Sequence, residues 1–200
     1  MITALEIKKR LSSVEELCLI GPLVTNYRPK KMPHLLVDGG IKIKNKLKNI
    51  PHWSIGDGDS TKKRLDVLLN KEKDYSDLKA ALDCIPSSIK CLYLRGFLGG
   101  RKDHELINFG EVHYFLKNRK HVSVHFSNKI KAYSAGEYQL NIKGTFSIIV
   151  FEPTKIGIKG DVKYPLRKKG LTPLSSLTLS NEGTGIVNID SNGPFYIFLK

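Results

Sequence analysis

Short apolar runs that give way to glycine or asparagine alternate with helix-period segments over the first 126 residues. Glu16–Ile20, His34–Val37 and residues 53–55, 67–69 and 89–94 are such runs, and 122–126 alternates as VSVHF. Residues 76–84 and 104–116 carry helical patterns between them. In the second, Leu106, Ile107, Phe109, Val112, Phe115 and Leu116 are expected to supply an apolar face. Asp77 and Asp103 lie near the starts of these segments, where a carboxylate can cap free N–H groups. Strands alternating with helices predict an α/β domain with a mostly parallel sheet covered by helices. Past about residue 127 the helical period fades. Apolar runs at 138–142, 146–151, 155–158, 185–189 and 195–199 are punctuated by glycine, proline, serine and asparagine. That pattern predicts a small antiparallel β-sandwich. The expected division is therefore 1–127 and 128–200.

Composition changes this picture little. Hydrophobic residues at 40% and charged residues at 26% suit a chain that buries a core. The chain has no apolar run long enough to span a bilayer, and the first 18 residues lack the pattern of a secretion signal. Cys18, Cys84 and Cys91 show no metal-ligand spacing and predict reduced thiols of a cytoplasmic protein. The net charge of +14 is unusual and uneven: from Lys117 to Lys169 there are twelve Lys or Arg against three acids. Such a surface attracts polyanions, yet it also reads as an ordinary solvated surface. No basic helix with interleaved aromatics marks a nucleic-acid interface.

The candidate chemistry lies in the first half. Eight of the ten aspartates fall between Asp38 and Asp103. Three groups follow predicted strands: VDGG at 37–40, IGDGDS at 55–60 and GFLGGRKDH at 96–104, with KDYSD at 73–77 between the last two. Strand C-termini are where open α/β sheets bind ligands. Clustered aspartates repel one another unless a cation joins them, and Mg²⁺ favours carboxylate, water and phosphate oxygens. Asp57 and Asp59 could face one ion, although DGDS also reads as a plain turn. Arg101, before a predicted helix, could pair with phosphate or simply with the Asp103 cap. Neither GxGxxG nor GxSxG occurs, and no GxxxxGKS or GxxxxGKT marks a P-loop.

In this order the motifs VDGG, GDGDS, DYSDLKAAL (74–82) and GFLGGRKDHELINF (96–109) resemble the thiamin pyrophosphokinase family. GDVKYPL (160–166) and LSNEGTGIV (179–187) extend the likeness into the second half. The resemblance implies a three-layer α/β domain followed by a β-sandwich. It implies a homodimer whose active site lies between the domains at the subunit interface. It also implies transfer of pyrophosphate from ATP, with Mg²⁺, to the thiamin hydroxyl, releasing AMP. By position, Asp57, Asp59 and Asp77 match metal ligands, with Asp38 beside them. Ser60, Asp74, Ser76, Arg101, Asp103 and His104 match the nucleotide side. Tyr164, Ser180 and Asn181 match the thiamin pocket. Gly58 and Ser76 depart from the family's usual residues, the second keeping a hydroxyl. Two other readings stand beside this one. One is a related pyrophosphokinase acting on a different hydroxymethyl heterocycle, such as a pterin. The other is a non-catalytic binder of nucleotides or nucleic acid.

Overall fold

The computed structural model describes residues 2–200, and the chain divides into two compact units, 1–111 and 112–200. In the first unit, α1 (Ala4–Arg10) precedes β1 (Glu16–Ile20), β2 (His34–Val37), β3 (His52–Gly56) and β4 (Val67–Leu68). Helix α2 (Asp77–Asp83), β5 (Cys91–Arg95) and α3 (Lys102–Lys117) follow, and the division of the units falls inside α3. The strands lie in the order β5-β1-β2-β3-β4, all parallel. Every residue of β2 and all but the first of β1 are buried, the continuous burial typical of a parallel sheet covered on both faces. On one face Cys18, Ile20 and Leu36 pack with Ile41, Ile43 and Leu47 of a 3₁₀ segment, Asp38–Leu47. Leu17, Leu19, Leu35 and Val37 alternate to the opposite face and are also buried.

The second unit holds β6 (Ser123–His125), β7 (Ile130–Tyr133), β8 (Gly136–Ile149), β9 (Thr154–Val162), β10 (Leu166–Leu171), β11 (Asn181–Ser191) and β12 (Phe195–Leu199). Their order is β10-β9-β11-β8-β12-β7-β6, all antiparallel. Phe146, Ile148, Ile156, Ile158, Val187, Ile189, Phe195 and Ile197 form its core. Taken together, the strands are mixed: parallel in the first unit, antiparallel in the second.

The expected strands and helices of the first 126 residues all form, within a few residues of the expected ends, but of the expected apolar face of α3 only Val112 and Leu116 are buried, while Leu106 and Ile107 are exposed. Helix α1 and the 3₁₀ segment are additional to the expected elements. Helix α1 is fixed locally by a capping box, in which Thr3 Oγ1 accepts from the Glu6 N–H and Glu6 accepts from the Thr3 N–H. In the second unit the runs at 138–142 and 146–151 prove to be parts of one strand, β8, which continues through Gly144 at φ +109°. Strands β7 and β10 were missed. The sequence of β10, LRKKGL, is polar or glycine between its terminal leucines, as exposed edge strands often are. All three cysteines are unbridged.

Gly40 fixes how the chain leaves β2. A methyl group there would overlap the Ile20 carbonyl. Gly40→Ala is expected to lower stability by about 1–3 kcal/mol, seen as a reduced urea midpoint, because backbone rather than a pliant side chain must yield.

Candidate active site

Three loops bring the acidic residues together. Asp38 directly follows β2 and adopts φ +51°, a left-handed conformation that aspartate tolerates better than most residues. Asp57 and Asp59 follow β3 at Gly56. Asp77 opens α2, whose N-cap is Ser76: its hydroxyl accepts from the Lys79 N–H at 3.0 Å. A side chain at Gly56 would meet the Asp38 Cα at 3.0 Å and Asp77 Oδ2 at 3.2 Å. Glycine there lets the two acids approach.

Asp38, Asp57 and Asp59 each present an oxygen within 4.8 Å of the others. The Asp59 N–H donates to Asp57 Oδ1 at 3.2 Å, and Ser60 Oγ donates to Asp59 Oδ1 at 2.9 Å. Asp38 Oδ1 is buried and has no hydrogen-bond partner. A buried carboxylate oxygen without a donor is costly unless a cation completes it. This oxygen set is hard and anionic, and it fits a small divalent cation.

Lys73, in the loop before α2, is the counter-ion. Its Nζ lies 2.6 Å from Asp57 Oδ2 and 2.9 Å from Asp77 Oδ1, and only 7% of its side chain is exposed. The contact with Asp57 is a hydrogen bond; that with Asp77 is an ion pair without hydrogen-bond geometry. Burial works against the lysine charge, but the two carboxylates outweigh it and raise its pKa. The same ammonium leaves its partners shifted in opposite directions. Its hydrogen bond lowers the Asp57 pKa, whereas burial raises that of Asp77.

The acids open into a cleft of about 440 Å³. Its wall includes Leu23 after β1 and Gly96 and Phe97 after β5. Strands β1 and β5 are adjacent in the sheet, and the chain leaving them stays joined, the Gly21 N–H donating to the Arg95 carbonyl at 2.7 Å and the Leu23 N–H to the Gly96 carbonyl at 3.0 Å, at the strand C-termini where open α/β sheets hold ligands. Ser60, Ser76, Arg101 and His104 also line it. Arg101 is turned to Asp103, with Nη2–Oδ2 at 2.5 Å and Nε–Oδ1 at 3.2 Å, and both side chains are mostly exposed. This pairing holds the Asp103 carboxyl at about 2. The Glu105 carboxylate accepts from the Gly99 N–H, so an internal anion occupies the entrance to α3. Asp74 is exposed and lies outside the cleft lining.

The residues matched to thiamin lie in the second unit. Tyr164 is 59% exposed. Asn181 is buried, and its amide is committed to the backbone: Oδ1 accepts from the N–H groups of Tyr164 (3.1 Å) and Glu182 (2.8 Å), and Nδ2 donates to the Tyr164 carbonyl at 2.8 Å. Asn181 thus presents Tyr164. Ser180 adopts φ +56° and donates its N–H to Ser147 Oγ at 3.0 Å. Lys73 heads the KDYSD group, yet nothing in the sequence gives it a role, since it is one lysine four residues before Asp77 in a lysine-rich chain. Glu111, which accepts weakly from Ser76 Oγ at 3.5 Å, is likewise unmarked in the sequence.

Carboxylates gathered at strand ends beside a buried ammonium, in an open α/β cleft, are the equipment of proteins that handle divalent cations and phosphate esters. Residues 25–124 match the family model described as thiamin pyrophosphokinase, catalytic domain. The chain belongs to the thiamin pyrophosphokinase family. Its fold is similar to that of the thiamine pyrophosphokinase from Bacillus subtilis, at 23% identity and TM-score 0.70 over 92% of this chain and 97% of that one. The enzyme from Geobacillus thermodenitrificans gives 21% identity and TM-score 0.71 over 92% and 97%. That from Candida albicans gives 13% and 0.69 over 92% and 88%. A comparison with curated proteins finds no match.

Without metal the cluster is under repulsive strain, and the Asp38 charge is felt by Asp77. Asp38→Asn keeps the left-handed backbone and removes one charge. In metal-free buffer it is expected to raise stability by about 0.5–1 kcal/mol, read from the urea midpoint.

Proposed function

We propose that the chain is a thiamin pyrophosphokinase that transfers pyrophosphate from ATP to the thiamin hydroxyl, giving thiamin diphosphate and AMP. The observation that carries this reading is that the family match spans the loops bearing Asp38, Asp57, Asp59 and Asp77 and the Arg101 segment. Asp57, Asp59 and Asp38 would hold Mg²⁺, and Asp77 joins them through Lys73. Bound there, the ion would neutralise phosphate charge and align the phosphate chain. Ser60, Ser76 and His104 line the cleft where a nucleotide phosphate chain would lie. Arg101 is exposed and joined only to Asp103 at the surface, so its guanidinium is free to exchange that partner for phosphate oxygens. Transfer of this kind depends on positioning and charge neutralisation more than on covalent help, and these residues supply both.

The reading extends to the family's three-layer domain and β-sandwich, to a cytoplasmic homodimer, and to a thiamin pocket formed by Tyr164, Ser180 and Asn181 of one copy facing the partner's cleft. An aromatic face such as that of Tyr164 suits a cationic heteroaromatic ring. Asn181 would act by holding that loop, since its amide is already satisfied. No helix among the described residues is long and apolar enough to cross a membrane.

AMP release from ATP with Mg²⁺ should require thiamin, yield thiamin diphosphate and cease with chelator. AMP release with a pterin alcohol instead would assign a different acceptor, and none with either would leave a binding protein. Asp57→Asn and Asp59→Asn should each cut turnover at least about a hundredfold with the unfolding midpoint retained. Arg101→Ala should raise the KM for ATP about tenfold.

A further inference from the structure

Lys73 places a fixed positive charge against a carboxylate that also belongs to the three-aspartate group. Its Nζ is 2.6 Å from Asp57 Oδ2, while Asp57 shares the 4.8 Å neighbourhood of Asp38 and Asp59. Among the described residues no other Lys or Arg forms an ion pair with Asp38, Asp57, Asp59 or Asp77. Two cations therefore compete for Asp57. One is tethered and always present; the other arrives from solution with twice the charge. At separations of a few ångström, in a partly buried site, their repulsion is large compared with thermal energy. The lysine cannot easily withdraw, because a second carboxylate, Asp77, grips it at 2.9 Å and its side chain is nearly fully buried.

A triphosphate alters this balance. Lys73 and all four aspartates line the same cleft, so phosphate oxygens entering it would add negative charge that both cations can share. Mg²⁺ itself is usually held by one or two carboxylates plus substrate phosphates.

We propose that Lys73 is a positioning residue that makes metal capture depend on nucleotide: as a tethered counter-ion it holds Asp57 and Asp77 in place and keeps free metal off the Asp38–Asp57–Asp59 group until the triphosphate arrives. The inference rests on the pyrophosphokinase reading and adds to it an order of binding. Asp77, in this account, acts on the metal through Lys73.

The test is Mn²⁺ titration followed by the electron paramagnetic resonance of the free ion, with and without α,β-methylene ATP, which cannot transfer its pyrophosphate. Without nucleotide, Lys73→Met should bind Mn²⁺ at least about tenfold more tightly than the wild type, because a repelling charge is gone. With the analogue, the two should come within about threefold, because phosphate then screens the lysine. Asp77→Asn leaves Lys73 wholly on Asp57 and should weaken nucleotide-free binding. The double variant Lys73→Met/Asp77→Asn should bind as tightly as Lys73→Met alone. Unchanged or weaker Mn²⁺ binding by a folded Lys73→Met overturns the proposal, as does a double variant as weak as Asp77→Asn. If Lys73→Met does not fold, an unchanged affinity in Asp77→Asn overturns it. Wild-type protein that gains no Mn²⁺ affinity from the analogue, with Asp57→Asn without effect, overturns the pyrophosphokinase reading and this proposal together.

Discussion

Four carboxylates converge where β2, β3 and α2 meet, and one ammonium holds them. Mutual repulsion among Asp38, Asp57, Asp59 and Asp77 would drive these loops apart in water. The buried Lys73, bridging Asp57 and Asp77, is the described basic residue that opposes it. The remaining oxygens, including the partnerless Asp38 Oδ1, are left available to the cleft. Much of the first unit can be understood as support for that arrangement. Parallel strands buried on both faces fix the loop ends, glycine at 56 lets backbone and carboxylate close in, and Ser76 caps the helix that carries Asp77. The stability given up at the cluster is recovered in the apolar layers beneath it, as is common where function requires a locally unfavourable arrangement.

The second unit follows a different logic. Its strands are antiparallel, and its core draws on alternate positions of long strands such as β8 and β9. The outward positions are free to carry charge, which explains how twelve Lys or Arg between Lys117 and Lys169 coexist with a well-filled core. Lysines on β10 also discourage strand addition at an exposed edge. Within this unit the amide of Asn181 closes the β9–β10 turn by three hydrogen bonds to backbone groups of Tyr164 and Glu182, and Tyr164 is set outward by that closure.

Arg101 and Lys73 show two ways to hold a cation beside phosphate chemistry. Arg101 sits at the surface, paired to Asp103 through solvent-exposed contacts worth little, so its partner is exchangeable. Lys73 is enclosed by two carboxylates and retains its charge despite burial. A mobile cation suits capture of a ligand, and a fixed one suits setting the geometry and charge that the ligand meets.

Period and punctuation in the sequence determined the strands of the first unit, helices α2 and α3 and the concentration of aspartates at strand ends. These are local properties: side-chain periodicity and turn chemistry act over a few residues. The family motifs likewise named Asp57, Asp59 and Asp77, with Asp38 beside them, as one group before any geometry was known. The Asp38–Leu47 segment was not legible, because packing on β2 and β3 shapes it, whereas helix α1 did leave a local signal, the Thr3–Glu6 capping box, which a reading by apolar period passes over. Nor was the continuity of β8 through Gly144, which its pairing with β11 enforces. Lys73 was one basic residue among 33 until folding buried it between two acids. Asp74, three residues from Asp77 and in the same motif, was indistinguishable from a cleft residue until the loop turned it to solvent. The type of a side chain and its spacing are written in the sequence; which charges end up within 3 Å of one another, and how little water lies between them, is decided only when distant loops close on a common core.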